Sequence, residues 1–306
     1  MANSPSQFSW DDENLLPSLY VSANRAATKS QRAHVTSLAL NYSFILLGAG
    51  FGALASFILE LKSMMAIFSA ISLFLGTTIS ATLKAFNLEK KWLEARSVAE
   101  SVKTLVVRYI TAGDMFNPTL PPKVADTNFL NRIKEILANR KELGKTIAKN
   151  LDIKPQITAA MRNVRTASLE ERKKFYIEQR VNDQINWYSR KAGWNNHRST
   201  LWMVSATVAQ ALAAIFAVML ASNHNWKFNV VPLFATLATI LLSWNRVKRY
   251  DELSDSYAVS AQELCAALNA AEYVDTESEL CRYVADVEQT ISREHTMWVA
   301  RRSSQP

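Results

Sequence analysis

The sequence predicts an all-α, polytopic membrane protein with two transmembrane helical hairpins, four spans in all, and long cytoplasmic helical extensions. Three observations carry this. Four blocks, Val35–Leu59, Ser63–Leu83, Ser199–Ser222 and Phe228–Asn245, hold no Asp, Glu, Lys or Arg. At a rise of about 1.5 Å per residue each can cross a hydrocarbon core of roughly 30 Å, the fourth only just. The links within each pair are short, Glu60–Lys62 and Asn223–Lys227, so the blocks pair off as hairpins. Finally, of the 35 Lys and Arg in the 306-residue chain, only Lys62 and Lys227 fall in those links. Basic residues collect on the cytoplasmic side, which places both termini and the central segment there.

Taken in order, the opening residues carry Asp11, Asp12 and Glu13 and lack the basic region and early apolar run of a signal peptide. Arg25, Lys29 and Arg32 precede the first span, and Lys84, Lys90 and Lys91 follow the second. Leu88, Trp92, Ala95, Ala99, Val102, Val106 and Tyr109 then step by four and three, a heptad seam that continues the second span as a cytoplasmic helix. The seam suits a multi-helix assembly and, as well, an ordinary face on the domain's own core. Gly113, ahead of Asn117-Pro118 and Pro121-Pro122, is the expected stop.

The segment Lys84–Ser199 is basic, with 23 Lys and Arg against 12 Asp and Glu. Asp126 is the expected cap of a helix through Phe129, Ile133, Ile136 and Leu137. Arg132, Lys134, Arg140, Lys141, Lys145 and Lys149 read first as a solvated face, with a phosphorylated ligand or anionic headgroups as the alternative. Ser168 and Glu171 form a capping box that opens the helix feeding the third span. Arg190, Lys191 and Arg198 precede that span, and Arg246, Lys248 and Arg249 follow the fourth. A second seam runs through Tyr250, Ser254, Tyr257, Ala261, Leu264, Leu268 and Ala271. A second capping box, Thr276 and Glu279, starts a stripe of Leu280, Tyr283, Val284, Val287, Ile291 and Trp298.

A shift of 163 residues lays the first hairpin on the second, with the second seam one residue out. The layout therefore reads as a duplication, 1–160 and 161–306, with the boundary around Asp152–Ala167 after Pro155.

Chemistry is sparse. His34, His197, His224 and His295 are scattered, and Cys265 and Cys281 lack metal-ligand spacing. Nucleophile-elbow, phosphate-loop, dinucleotide and zinc-helix patterns do not occur, so no catalytic, cofactor or metal residue is expected and the chain is not expected to be an enzyme. Inside the spans, Gly48, Gly52 and Ser56, and Ala209, Ala213 and Ala217, form small-residue series that let helices pack closely. Asn41 and Gln210 are the bulkiest polar groups there, with Thr77, Ser80, Thr239 and Ser243 beside them. They read either as a water-facing pore lining or as interhelical hydrogen bonds, the second slightly favoured.

Two stretches resemble a known family. Lys91-Trp92-x3-Arg96-x2-Ala99-Glu100, continuing to Lys103, Arg108 and Tyr109, resembles one branch of the SLATT domains, the SMODS- and SLOG-associating two-TM effector domains. Tyr176-x3-Arg180-x2-Asp183-Gln184-x2-Trp187-Tyr188-x3-Ala192-x2-Asn195 resembles a second branch, as does Val287-Glu288-x2-Ile291-x-Arg293-Glu294-His295-x2-Trp298. The resemblance implies a tandem SLATT protein, an effector that perforates or depolarises the bacterial inner membrane in antiviral conflict. Its trigger would be a separate sensor protein or a nucleotide second messenger, with no cofactor and no direct nucleic-acid contact. Four spans are too few for a wide channel, and the small-residue series and seams offer surfaces for a symmetric ring, so a homo-oligomer is expected. The alternative is a non-conducting membrane scaffold that recruits partners through its cytoplasmic helices.

Overall fold

Helices make up all the regular structure of the computed structural model, which describes residues 15–138, 141–223 and 228–303, with the side chains of 141–143 and 293–303 left aside; no strand occurs among the described residues. The acidic start at Asp11–Glu13, Arg140, His224 and Lys227, and the side chains of Lys141, His295 and Trp298, lie outside that description.

Helix α1 runs unbroken over Ser18–Phe57, and a short 3-10 turn leads into α2 at Lys62–Phe86. The helices that follow are α3 (Leu88–Ile110), α4 (Pro122–Ala138), α5 (Lys141–Ala148), α6 (Ala159–Arg165) and α7 (Leu169–Tyr176). A π-helical turn at Ile177–Val181 feeds the 41-residue α8 (Asn182–Ser222), followed by α9 (Val231–Lys248), α10 (Tyr250–Ala270) and α11 (Glu277–Ser303).

Three helical stretches contain a segment long and apolar enough to cross a membrane, Ser18–Phe57, Leu59–Ile110 and Leu169–Ser222. The second and third expected spans lie within them, and the first, Val35–Leu59, does so up to Phe57, where α1 ends. The fourth falls short for a local reason. Asn229 accepts the N–H of Val231 at 3.2 Å, so the helix begins only there, with Pro232 in its first turn. Its last turn already holds Arg246 and Lys248.

Each hairpin ends on a break that the heptad pattern hides. Asn87 (φ 48°) separates α2 from α3, and Arg249 (φ 52°) separates α9 from α10. Both are left-handed, a conformation that Asn tolerates and that costs an ordinary side chain about 1–2 kcal/mol. The seams thus start anew at Leu88 and Tyr250 rather than continuing the spans. At Arg249 the break is supported: its N–H reaches the carbonyls of Asn245 and Arg246, and its guanidinium meets Glu252 at 2.7 Å.

The chain divides into two compact units, and each draws on both halves of the sequence. One unit comprises the described residues of Met1–Gln31, Glu89–Lys191 and Ser256–Pro306. Its core includes nearly the whole first seam, together with Phe129, Ile133, Leu264, Leu280 and Val284. The seam is therefore a core face of its own unit. Both capping boxes form, with Glu171 accepting from Ser168 and Glu279 from Asp275 and Thr276. These hydrogen bonds hold both carboxyls below the usual range. Asp126 is no cap. Helix α4 starts four residues earlier at Pro122, whose missing N–H suits a first turn, and Asp126 instead accepts from Tyr109 (2.5 Å) and Arg162 (2.6 Å). Gly113 does follow α3, but its φ is −89°; Ala112 takes the left-handed turn. Arg132, Lys134, Lys145 and Lys149 are exposed, as a solvated face requires.

The other unit, Arg32–Leu88 and Ala192–Asp255, holds the two hairpins. It buries little and turns large apolar side chains outward, Phe74 71% and Val218 66% exposed. An outward apolar shell over such length is what lipid, not water, solvates.

Candidate functional site

Within the hairpin unit, the small-residue series act as spacers. Gly48 lies so close to α2 that a Cβ there would come 2.7 Å from Leu73, and its carbonyl accepts from Ser69 Oγ at 2.7 Å. Gly52 faces the same Ser69, while Ser56 bonds back to Ala53 of its own helix. Ala209 and Ala213 are buried, joined by Ala206, but Ala217 is exposed. The drift is geometric: steps of four residues turn about 40° per step on a 3.6-residue helix, so a strict four-step series rotates off its face. Gly48, Gly52 and Ser56 also line a cavity of about 470 Å³ with Ser69, Asn229 and Thr236.

The polar residues of the spans do not converge. Asn41 is buried against Gly76, its Oδ1 without a hydrogen-bond partner. Ser243 hydrogen-bonds Tyr42 across helices. Thr77 and Thr239 bond to carbonyls of their own helix at 2.9 Å, and both are exposed, as are Ser80 and Gln210. An aromatic and basic collar marks one end of the hairpins, with Trp194 edge-on to Tyr250, Arg198 over Trp194 and Lys248 over Trp244. Such residues favour the headgroup layer.

The other unit does bring its motif residues together. Trp92, Arg96 and Glu100 from α3, and Asp183, Gln184, Trp187 and Tyr188 from the start of α8, line one cleft of about 560 Å³. Steps of four in the first set, and i, i+4 pairs in the second (Asp183 with Trp187 and Gln184 with Tyr188), put each on one helix face, and α1 closes the side with Tyr20 and Asn24. Arg96 is held from both sides, by Glu100 at 2.6 Å and Asn24 at 3.2 Å. Trp187, Tyr188 and Tyr257 form a ring cluster with centroids 5.1–5.5 Å apart.

Arg180, the eighth motif residue, is not in that lining but buried in the core, 1% exposed, on the π-helical turn. It makes a two-pronged pair with the fully buried Glu288, Nε to Oε1 at 2.9 Å and Nη2 to Oε2 at 3.0 Å. Thr104 and Tyr176 also donate to Glu288. Burial alone would lower the Arg180 pKa, but the Glu288 carboxylate outweighs it and raises it, with Glu100 adding to the effect. Tyr176, buried beside the same carboxylate, is pushed well above the phenol range. Sequence reasoning missed Glu288 as a functional position. The signal was there: it stands four residues after Val284 and three before Ile291, a carboxylate on an apolar stripe.

No group of His, Cys, Asp and Glu among the described residues is arranged to hold a metal ion. Comparison with known proteins gives two family matches. Residues 17–173 match SMODS and SLOG-associating 2TM effector domain 3, and residues 176–298 match SMODS and SLOG-associating 2TM effector domain 1. No curated protein and no solved structure matches the chain. With its apolar helices and its motif residues from both segments meeting in one cleft, the chain belongs to the SMODS and SLOG-associating 2TM effector domain family, two of whose domains it carries in tandem, and this fits a membrane effector.

Proposed function

We propose that the protein is a non-enzymatic, oligomeric effector whose hairpins permeabilise or depolarise the bacterial inner membrane in an antiviral conflict system, with four spans and both termini cytoplasmic. The observation that carries this reading is Gln210, exposed on the surface of α8 on the same helix face as the exposed Met203 and Ala217. An amide facing lipid is costly, and a second copy or a water path relieves it. Thr77, Ser80 and Thr239 are exposed on the same unit and would add hydroxyls to such a path.

The test is inducible expression with a membrane-potential dye. Depolarisation that Gln210→Leu abolishes supports the reading; an unchanged potential at full membrane insertion overturns it. Cysteine labelling of residues 131–160 from the cytoplasmic side alone is expected, and labelling from outside would end the four-span topology. A second reading, a non-conducting scaffold, draws support from Thr77 and Thr239, whose hydroxyls are satisfied without water. It expects partner recruitment with no loss of potential.

A further inference from the structure

We infer that two exposed loops of the unit that contains the seam core are the two halves of one interface, the basic loop of one copy docking on the acidic loop of the next. Among the described residues of that unit, Ile153, Tyr273 and Leu151 are the most exposed large apolar side chains, at 96%, 77% and 66%. Single apolar residues on a surface need no explanation, but these are held outward by the structure around them. Between Leu151 and Ile153, Asp152 is pinned inward. Its N–H donates to Ser22 Oγ at 2.9 Å, and its carboxylate meets Arg25 at 3.2 Å and accepts the Lys154 N–H at 3.0 Å. The apolar residue on either side is left facing solvent. Tyr273 ends the 3-10 turn Ala271–Tyr273, set between the buried Ala271 and Val274. Lys173 donates to the Val274 carbonyl at 2.7 Å, and the Thr276 and Glu279 capping box follows at once. Both loops are thus ordered before any contact, which lowers the entropy lost on docking.

Charge selects the occupant. Residues 145–154 carry Lys145, Lys149 and Lys154 against one acid, Asp152, which Arg25 already meets. Residues 272–279 carry four acids and no Lys or Arg. Glu277 meets Arg172 and Glu279 caps its own helix, while Glu272 and Asp275 are exposed beside Tyr273. A basic rim around two aliphatic side chains therefore faces an acidic rim around a tyrosine, a residue type that anchors interfaces. An anionic lipid surface would suit the first loop alone and give the second no role. A second copy of this chain suits both. Because the two patches differ, the contact is head-to-tail, the kind that closes a ring when the rotation between copies permits. The inference rests on the oligomeric reading above and adds to it the surfaces that touch.

The test co-expresses two forms of the full chain, one with Ile153→Cys and one with Tyr273→Cys, both also carrying Cys265→Ser and Cys281→Ser. In lipid nanodiscs a short bis-maleimide is expected to join the two forms and to join neither form to itself. Equal cross-linking of the Ile153→Cys form alone would mean a like-with-like contact and overturn the inference. Charge exchange gives a second measurement, read by mass photometry. Lys145→Glu with Lys149→Glu should weaken association by about tenfold or more, as should Glu272→Lys with Asp275→Lys, through like charges brought together. All four changes in one chain should restore most of it. These side chains are exposed, so thermal unfolding followed by tryptophan fluorescence should not move. Association that neither reversal weakens, or that the combination fails to restore, overturns the interface and leaves the oligomeric reading standing. An unaltered chain that stays monomeric sinks both.

Discussion

Arg180 and Glu288, 108 residues apart in the chain, meet as a two-pronged ion pair with both side chains out of reach of water. Removing one partner strands the other charge in the core. Glu288→Leu is expected to cost about 3–5 kcal/mol, whereas the double change Arg180→Met with Glu288→Leu should recover most of that loss. Thermal unfolding followed by tryptophan fluorescence separates the two. Equal destabilisation by the single and double variants would show that the pair itself, not the stranded charge, sustains the core.

Alkaline pH offers a second test of the same unit. Burial, and then the Asp126 hydrogen bond, push the Tyr109 phenol up to about 12, and burial does the same for Tyr283. The unfolded chain ionises these phenols near 10, so the folded state favours their protonated form. Their contribution is complete below about pH 10 and is lost as pH rises from about 10 to 12. Stability should fall across that window, and Tyr109→Phe with Tyr283→Phe should flatten the fall. A tyrosinate absorbance titration that lacks a late step near pH 12 would refute the assignment.

Close approach at Gly48 predicts a size-dependent response in the first hairpin. A Cβ at this position would come 2.7 Å from both Cγ and Cδ2 of Leu73, so the whole leucine side chain must shift, while the Ser69 carbonyl at 3.4 Å is in ordinary contact. Gly48→Ala should therefore already cost about 1–3 kcal/mol by overpacking, and Gly48→Val more. Shortening Leu73 to Ala in the valine variant should restore part of that stability, as read from resistance to denaturant in detergent.

Self-association should depend on Gln210 and not on Asn41, although both are amides within apolar helices. Asn41 is buried inside its own hairpin, whereas Gln210 is exposed. Gln210→Leu should weaken association by about 3–30-fold, the equivalent of roughly 0.6–2 kcal/mol for an interhelical polar contact. Asn41→Ala should leave it unchanged. Mass photometry in nanodiscs measures both.

The three long apolar helices were legible because a charge-free run as long as Ser199–Ser222 matches the thickness of a bilayer and is difficult to bury in a soluble core of this size. The breaks at Asn87 and Arg249 were not, since neither glycine nor proline marks them and the apolar steps run on through Leu88 and Tyr250. Each break changes direction by one backbone torsion, which side-chain periodicity does not record. The offset between the two breaks, 162 residues, agrees with the second seam lying one residue out of the 163 shift. The motif residues Trp92, Arg96 and Trp187 were visible as isolated signatures, but their common cleft was not. Bringing α3 to α8 depends on long-range packing, and no local pattern fixes that pairing. Arg180 stood in the same motif with nothing to mark it as buried, because its carboxylate lies about a hundred residues on.

The interleaving of the compact unit imposes an order on its synthesis. Arg180 emerges from the ribosome well before Glu288, and at translation rates of about 5–20 residues per second the wait is on the order of ten seconds. The whole of the hairpin unit, Arg32–Leu88 and Ala192–Asp255, is made before that partner arrives. A nascent chain thus has its apolar helices finished while the core still lacks its final helix and the Arg180 guanidinium has yet to meet Glu288. The core that encloses Arg180 is therefore completed only by the last helix the polypeptide acquires.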